Sequence, residues 1–323
     1  MLLTITLNPS VDNVYRLKKL QLNSLNRVSL NKYIGGKGIN AGRVASILGS
    51  KVFLTGFIGG SNGRYIAEHL NDLTPKNKMT NSFQILDSET RLCTTVMHEN
   101  DQQTEFNEAG EPISKKRLDS FIDFYLSTLK KNPQINVVSI NGSMPPEAPS
   151  DIYCHLIKLT NELNPKIKII LDTSSNLLET TLNNIKKMNL RINYVKPNIS
   201  ELSTLVKKEI SSMPEAIKAI NSSNLKFVDN VIISMGEEGA LFKINTEYYQ
   251  AKIPSITTIN PTGSGDATIG GLCFALDNDL NNESLIRTSM ACGISNAMHS
   301  EIGFIKSEEV EYLKNKITIS KIK

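Results

Sequence analysis

Short apolar runs bounded by polar or Gly/Pro breaks recur along the chain, at residues 2–7, 51–57, 137–140, 167–171, 194–196 and 231–235. Segments of helical spacing lie between them, at 40–48, 114–129, 150–163 and 201–206. Strand alternating with helix predicts an α/β fold, a mostly parallel sheet covered by helices on both faces. In such folds ligands gather beyond the carboxyl ends of the strands. The residues that follow each run are therefore the first candidates for a site.

Two stretches break that rhythm, 13–33 and 90–107. In the second, Thr90-Arg91-Leu92-Cys93-Thr94-Thr95-Val96-Met97-His98 has strong β character, which 103–107 repeats. They are expected to form a small sheet standing off the main one as a lid. Helices return at 267–276, through 289–298 and from about 307. With no repeat, low-complexity tract or linker, residues 1–323 are expected to make one domain carrying that lid.

Charge excludes little but guides the choice of partner. The 36 Lys+Arg against 32 Asp+Glu are scattered, so neither a nucleic-acid nor a lipid surface is expected, whereas a locally basic cleft would suit a phosphorylated substrate. Residues 2–7 are too short for a leader, lack a basic region before them, and no run is long enough to cross a bilayer. A cytoplasmic location is the resulting expectation. Cys93, Cys154, Cys273 and Cys292 form no C-x-x-C pair, and His69, His98, His155 and His299 no H-E-x-x-H, so no structural metal or disulfide framework is expected.

The stretch richest in chemistry is Asn260-Pro261-Thr262-Gly263-Ser264-Gly265-Asp266-Ala267-Thr268-Ile269-Gly270-Gly271. Gly263 and Gly265 leave backbone N–H groups open at a helix start, which makes an anion site. Asp266 in that first turn could accept a proton from a hydroxyl while the N–H groups stabilise a transferring phosphoryl group. The same residues also suit an ordinary turn with an acid at the favourable end of the helix dipole. Upstream, Gly35-Gly36-Lys37-Gly38-Ile39-Asn40 precedes another helix, with Lys37 and Asn40 offering a charge and an amide, and Asp12 lies just past the first strand. A solvated lysine and a turn aspartate are the plainer readings. Neither G-x-x-x-x-G-K-[ST] nor a post-strand G-x-G-x-x-G occurs.

Together these two segments resemble the paired signatures of the ribokinase-like carbohydrate kinases of the phosphofructokinase-B family. Asn141-Gly142-Ser143-Met144-Pro145-Pro146, Lys196-Pro197-Asn198 with Glu201, and Ser234-Met235-Gly236-Glu237-Glu238-Gly239 fit the family in order. The resemblance spans nearly the whole chain. It implies a three-layer α/β/α fold with a β lid, ATP and Mg²⁺ as cofactors, Asp266 as the base, and Gly263, Ser264 and Gly265 as the anion hole. It implies that Gly36, Lys37, Gly38, Asn40 and Asp12 meet the sugar and that Asn198 and Glu201 organise Mg²⁺. Lys196 would approach the nucleotide phosphates, Ser234, Gly236 and Gly239 would line the nucleotide cleft, and Asn296 would pass the adenine.

The opening Thr6-Leu7-Asn8-Pro9-Ser10-Val11-Asp12 and the pair Asn260-Pro261 resemble the branch acting on phosphorylated hexoses. There Arg91 would bind the existing phosphate through its bidentate fork, with Lys37 and Arg27 as further cations. An edge-strand charge is the plainer reading of Arg91. Thr90-Arg91-Leu92-Cys93 and Gln102-Gln103-Thr104-Glu105 are closer to tagatose-6-phosphate kinase than to 1-phosphofructokinase. Asn141 and Glu147 depart from the family's usual serine and glycine. A non-catalytic nucleotide or sugar-phosphate sensor is the reading of another class, and a second subunit could cover the lid to make a homodimer.

Overall fold

The structure is a computed structural model that describes residues 1–99 and 102–322. Asn100 and Asp101, inside the second expected lid segment, lie outside the described residues. The chain opens with β1 (Leu2–Thr6), leaves for β2 (Ser10–Arg16) and β3 (Ser29–Gly35), and returns through α1 (Lys37–Ile47), β4 (Val52–Gly59) and α2 (Gly60–His69). The short strands β5 (Met79–Asn81) and β6 (Gln84–Leu86) precede a second excursion, β7 (Arg91–His98) and β8 (Gln102–Asn107). After α3 (Lys115–Lys131) come β9 (Val137–Asn141), α4 (Ile152–Leu163), β10 (Lys168–Asp172), α5 (Ser175–Met188) and β11 (Tyr194–Val195). Next are α6 (Ile199–Val206), α7 (Met213–Ser222), β12 (Asn230–Ser234), β13 (Ala240–Ile244) and β14 (Glu247–Lys252). Helices α8 (Ser264–Asp277), α9 (Asn282–Ala297) and α10 (Ser307–Lys314) and strand β15 (Thr318–Ile322) follow.

The large sheet has the order β15-β14-β13-β12-β11-β10-β9-β1-β4-β5, with β6 also on β4. It is parallel from β12 to β5, and β13 to β15 join antiparallel. Every residue of β1 and β9 is buried, as strands with two covered faces require. Successive side chains alternate between two cores: Leu2, Val137 and Ile170 pack with α1, α8, α9 and α10, while Leu3, Val138 and Ile169 pack with α3 to α7. Each expected strand is present to within a residue or two. The antiparallel extension was not anticipated, because β14 is only half-buried and β15 is a largely exposed edge strand, neither with a continuous apolar run. Among the described residues no helix is long and apolar enough to cross a membrane.

The small sheet, ordered β3-β2-β7-β8, is separate from the large one. It starts earlier than expected, at Ser10 directly after Asn8-Pro9, and residues 17–28 form a connection rather than strand. Parallel pairing of β2 with β7 sets Ser10 opposite Arg91 and Asp12 opposite Cys93. The lid is thus joined directly to the carboxyl end of β1.

Helix α8 is held between α1 and α9 by adjacent glycines. A Cβ on Gly270 would stand 2.5 Å from the Ala41 carbonyl oxygen of α1, and one on Gly271 2.8 Å from Cys292 Sγ of α9. Backbone cannot yield as a side-chain tip can, so Gly270→Ala must push the two helices apart. We expect a loss of about 1–3 kcal/mol in urea denaturation together with reduced turnover; an unchanged midpoint would show that the helices have room to spare.

Candidate active site

Helix α8 begins at the end of the sequence segment 260–263. Gly263 is its N-cap in a left-handed conformation, φ 81°, and a Cβ there would lie 2.6 Å from Ile302 Cγ2. The Ser264 N–H turns back to the Pro261 carbonyl at 3.2 Å. The expected anion hole is therefore shifted: Gly263, Gly265 and Asp266 carry N–H groups with no backbone acceptor among the described residues. Ser264 contributes its side chain and the turn. Asp266 sits in the first helical turn, and its Oδ2 accepts from Asn40 Nδ2 across the α1–α8 contact at 2.9 Å.

Around Asp266 stand two lysines and a second carboxylate. Asp172, buried at the carboxyl end of β10, lies 3.5 Å from Lys37 Nζ through Oδ2 and 3.5 Å from Lys196 Nζ through Oδ1. Lys37 is in the first turn of α1 rather than in a loop, and Lys196 directly follows β11. A Cβ at Gly265 would be 3.1 Å from Lys196 Nζ, so this ammonium hangs over the N-terminus of α8. Burial, and secondarily Asp172, push the Asp266 carboxyl up to about 6, against the opposing pull of Lys37, Asn40 and Lys196. The Lys37 ammonium is pushed well above its ordinary value, chiefly by Asp172. Near neutral pH the site thus holds an ionised carboxylate poised to take a proton, beside two cations.

A cleft opens at this turn. Of about 570 Å³, it is lined by Ser264 and Gly265 at its floor, by Ser234, Gly236 and Gly239 from the turn after β12, and by apolar side chains such as Met290. Its dimensions and apolar wall suit a nucleotide base and ribose leading to phosphates at the helix start. Asn296 is not part of that lining. It is fully buried behind the turn, where Nδ2 donates to the Thr262 carbonyl at 2.9 Å and to Ser264 Oγ at 3.3 Å, and Oδ1 accepts from Gly303 N–H at 2.8 Å. Its amide supports the anion loop instead of facing the cleft as expected.

On the other side, Gly36 caps α1 and Gly38 lets the helix start lie against Ile5 and Thr6 of β1. Arg91 is fixed by Nε to the Asn8 carbonyl at 3.2 Å and by Nη1 to the Glu108 carbonyl at 3.1 Å, with no partner for Nη2 among the described residues. Asp12 accepts from Ser10 Oγ at 2.6 Å, and burial raises its carboxyl. Asn8 ties this corner together, its Nδ2 donating to the carbonyls of Ala109 and Met144 at 3.0 and 3.2 Å. Arg27 is not brought here; it lies exposed in the connection between β2 and β3.

Asn198 and Glu201 form a reciprocal capping box on α6: Asn198 Oδ1 accepts from Glu201 N–H at 2.8 Å, and Glu201 Oε2 from Asn198 N–H at 2.9 Å. The capping role explains the spacing of the N-x-x-E motif locally. Among the described residues no three His, Cys, Asp or Glu side chains converge on a metal position. The Glu201 carboxylate is close enough for its charge to help raise Lys37, and its other oxygen accepts no hydrogen bond among the described residues, so the pair could meet Mg²⁺ only through water or nucleotide phosphates.

Asp172 and Arg43 went unmarked in the sequence. Asp172 had a signal, an acid directly ending the apolar run 167–171. Arg43 had none, for a basic residue in a helix reads as solvent-facing, whereas here it is buried.

An open α/β sheet with an anion-binding helix start, a carboxylate beside it and a cleft leading to it fits a phosphotransferase with an alcohol group as acceptor. The family model for pfkB family carbohydrate kinases matches residues 5–303, and the chain belongs to that family. Sugar kinases of this family use ATP. A candidate phosphofructokinase from Staphylococcus aureus is 28% identical over 100% of this chain and 99% of its own, with a TM-score of 0.80. Phosphofructokinase-2 from Escherichia coli, in complex with fructose-6-phosphate, is 23% identical over 97% and 98%, TM-score 0.82. A possible 1-phosphofructokinase from Thermotoga maritima is 22% identical over 100% of both chains, TM-score 0.82. The protein is thus a carbohydrate kinase whose fold is shared with these phosphofructokinases.

A carboxyl raised to about 6 must lose its proton before it could serve as a base. We expect kcat/KM to fall about tenfold per pH unit below that value and to level off above it, a profile read by steady-state kinetics from pH 5 to 9; a flat profile would remove Asp266 as the titrating base.

Proposed function

We propose that this chain transfers the γ-phosphoryl group of ATP to the free terminal hydroxyl of a ketohexose phosphate, with Asp266 as the general base. The observation that carries this reading is the position of Asp266, hydrogen-bonded to Asn40 on the sugar-side helix while its own helix start floors the nucleotide cleft. In an in-line displacement the Asp266 carboxylate takes the hydroxyl proton as the sugar oxygen bonds to phosphorus. The bond from phosphorus to the bridging oxygen breaks, and ADP leaves with that electron pair. The N–H groups of Gly263, Gly265 and Asp266, with Lys196, stabilise the charge on the moving group. Lys37 balances Asp172 and lies toward the acceptor. Bound Mg²⁺, held beside Asn198 and Glu201 through water, would neutralise phosphate charge.

Arg91 is the proposed anchor for the phosphate already on the sugar, through its unpartnered Nη2. The preferred substrate is tagatose 6-phosphate, phosphorylated at C1. The lid sequence 90–93 and 102–105 supports this, as does a fructose-6-phosphate complex in the Escherichia coli neighbour, a sugar with phosphate at the same end. Fructose 1-phosphate is the alternative, favoured by the Thermotoga maritima neighbour. A second copy covering the exposed Leu22, Leu25, Leu30 and Phe106 of the lid is proposed as the oligomeric contact.

Coupled ADP release with Mg²⁺-ATP and each of tagatose 6-phosphate, fructose 6-phosphate, fructose 1-phosphate and the unphosphorylated sugars tests the reading. Preference for tagatose 6-phosphate is expected. Turnover of unphosphorylated sugars alone would remove Arg91 from its role, and none at all would favour the sensor. Asp266→Asn is expected to lose at least about 10³-fold in kcat while binding ATP with unchanged affinity by calorimetry; retained turnover would exclude the base assignment.

A further inference from the structure

Arg43 is the one charged side chain of α1 that is driven into the core, with 4% of its surface exposed. Its Nη1 donates to the Ile302 carbonyl at 2.8 Å and to Asn40 Oδ1 at 3.4 Å, and Nε has no partner among the described residues. Burial lowers the guanidinium to about 10, which leaves it charged at neutral pH. Asp72 supports the charge from a distance but forms no ion pair with it among the described residues, and a buried cation so weakly paired is costly, so its retention calls for a reason beyond packing.

The reason lies one residue away. Asn40 is clamped between the Arg43 guanidinium and the Asp266 carboxylate. An amide between a donor-only cation and an acceptor-only anion has a single favourable orientation, oxygen to the cation and NH₂ to the anion. Arg43 also holds Ile302, whose side chain abuts Gly263, and the next residue, Gly303, donates to Asn296, which holds Thr262 and Ser264. A ring of contacts thus runs from the base through α1 to the 302–303 segment, through α9 to the anion loop, and back to the base. Gly303 also packs on Asn40, where an added Cβ would lie 2.8 Å from Asn40 Oδ1, and Arg43 holds both that oxygen and the Ile302 carbonyl beside it.

We infer that Arg43 is a positioning residue for phosphoryl transfer: it locks the Asn40 amide so that Nδ2 always donates to Asp266 Oδ2, and it fixes the anion loop to the sugar-side helix. The inference rests on Asp266 being the base. Locked in this way, Asn40 occupies one carboxylate oxygen and leaves Oδ1 for the substrate hydroxyl. It also favours the ionised carboxylate, acting with Lys37 of α1 and Lys196 after β11 and against Asp172 of β10, the other charged groups that face Asp266. Freed from Arg43, the amide can flip and present its oxygen to the carboxylate, which favours the protonated acid.

The test is the pH profile of kcat/KM for tagatose 6-phosphate, or fructose 1-phosphate if the wild type prefers it, in Arg43→Met, Asn40→Ala and the double variant. Arg43→Met should raise the midpoint of the acid limb by about one pH unit and lower kcat about tenfold. The KM for ATP should stay within about twofold, because Arg43 does not line the nucleotide cleft. In the Asn40→Ala background Arg43→Met should move the limb no further, since it acts through that amide. An unmoved limb in Arg43→Met, or an equal shift with and without Asn40, overturns the inference. If Arg43→Met does not fold by circular dichroism, Arg43→Lys is judged by the same two criteria, because a single ammonium cannot hold both oxygens with the guanidinium's fixed fork. A wild type with no acid limb would bring down the base assignment and this inference together, whereas a wild-type limb that Arg43 variants leave in place brings down the inference alone.

Discussion

The contact between α1 and α8 is the constraint on which the site depends. It carries the hydrogen bond from Asn40 to Asp266, and it forms only because Gly270 lets the backbone of α8 approach the Ala41 carbonyl. That approach takes a carboxylate out of bulk water without leaving it unpaired. Burial raises the acid, while the Asn40 amide and two ammonium groups hold it down, and the balance falls about one unit below neutral. A carboxylate so placed is ionised near neutral pH and still basic enough to accept a proton, as the proposed base requires.

The charges around Asp266 are themselves organised by a residue that takes no proton. Asp172 ends β10 between Lys37 and Lys196, so one buried anion fixes two cations brought together from α1 and from the end of β11. Both lysines are thereby directed to the mouth of the sheet, where the developing phosphate charge would lie. Unlike mobile surface cations, they need little reorganisation when a ligand arrives, which is the property electrostatic catalysis requires.

Much of the fold could be read from the chain because parallel strands covered on both faces leave an unmistakable trace. The runs ending near Thr6, Asn141, Asp172, Lys196 and Ser234 all became adjacent strands of one sheet, and the residues at and just beyond their ends line the candidate site. The half-exposed β14 and the edge strand β15 left no such trace, and the apolar run of the buried β13 is interrupted by Lys243. The lid was recognisable as an interruption, yet its start at Ser10 depends on pairing with Arg91, a contact between residues far apart in sequence.

By itself the sequence determined the α/β alternation, the two glycine-rich helix starts and the acid within the second of them, because local backbone freedom and strand burial are written residue by residue. Tertiary structure alone decided that Asn296 supports the anion loop from behind, that Ser264 N–H closes a turn, that Arg27 stays outside, and that Asp172 and Arg43 belong to the site. Those outcomes turn on which buried group finds which partner. An unpaired charge or amide in the interior is costly enough that its partner is set by three-dimensional proximity, which no local pattern encodes.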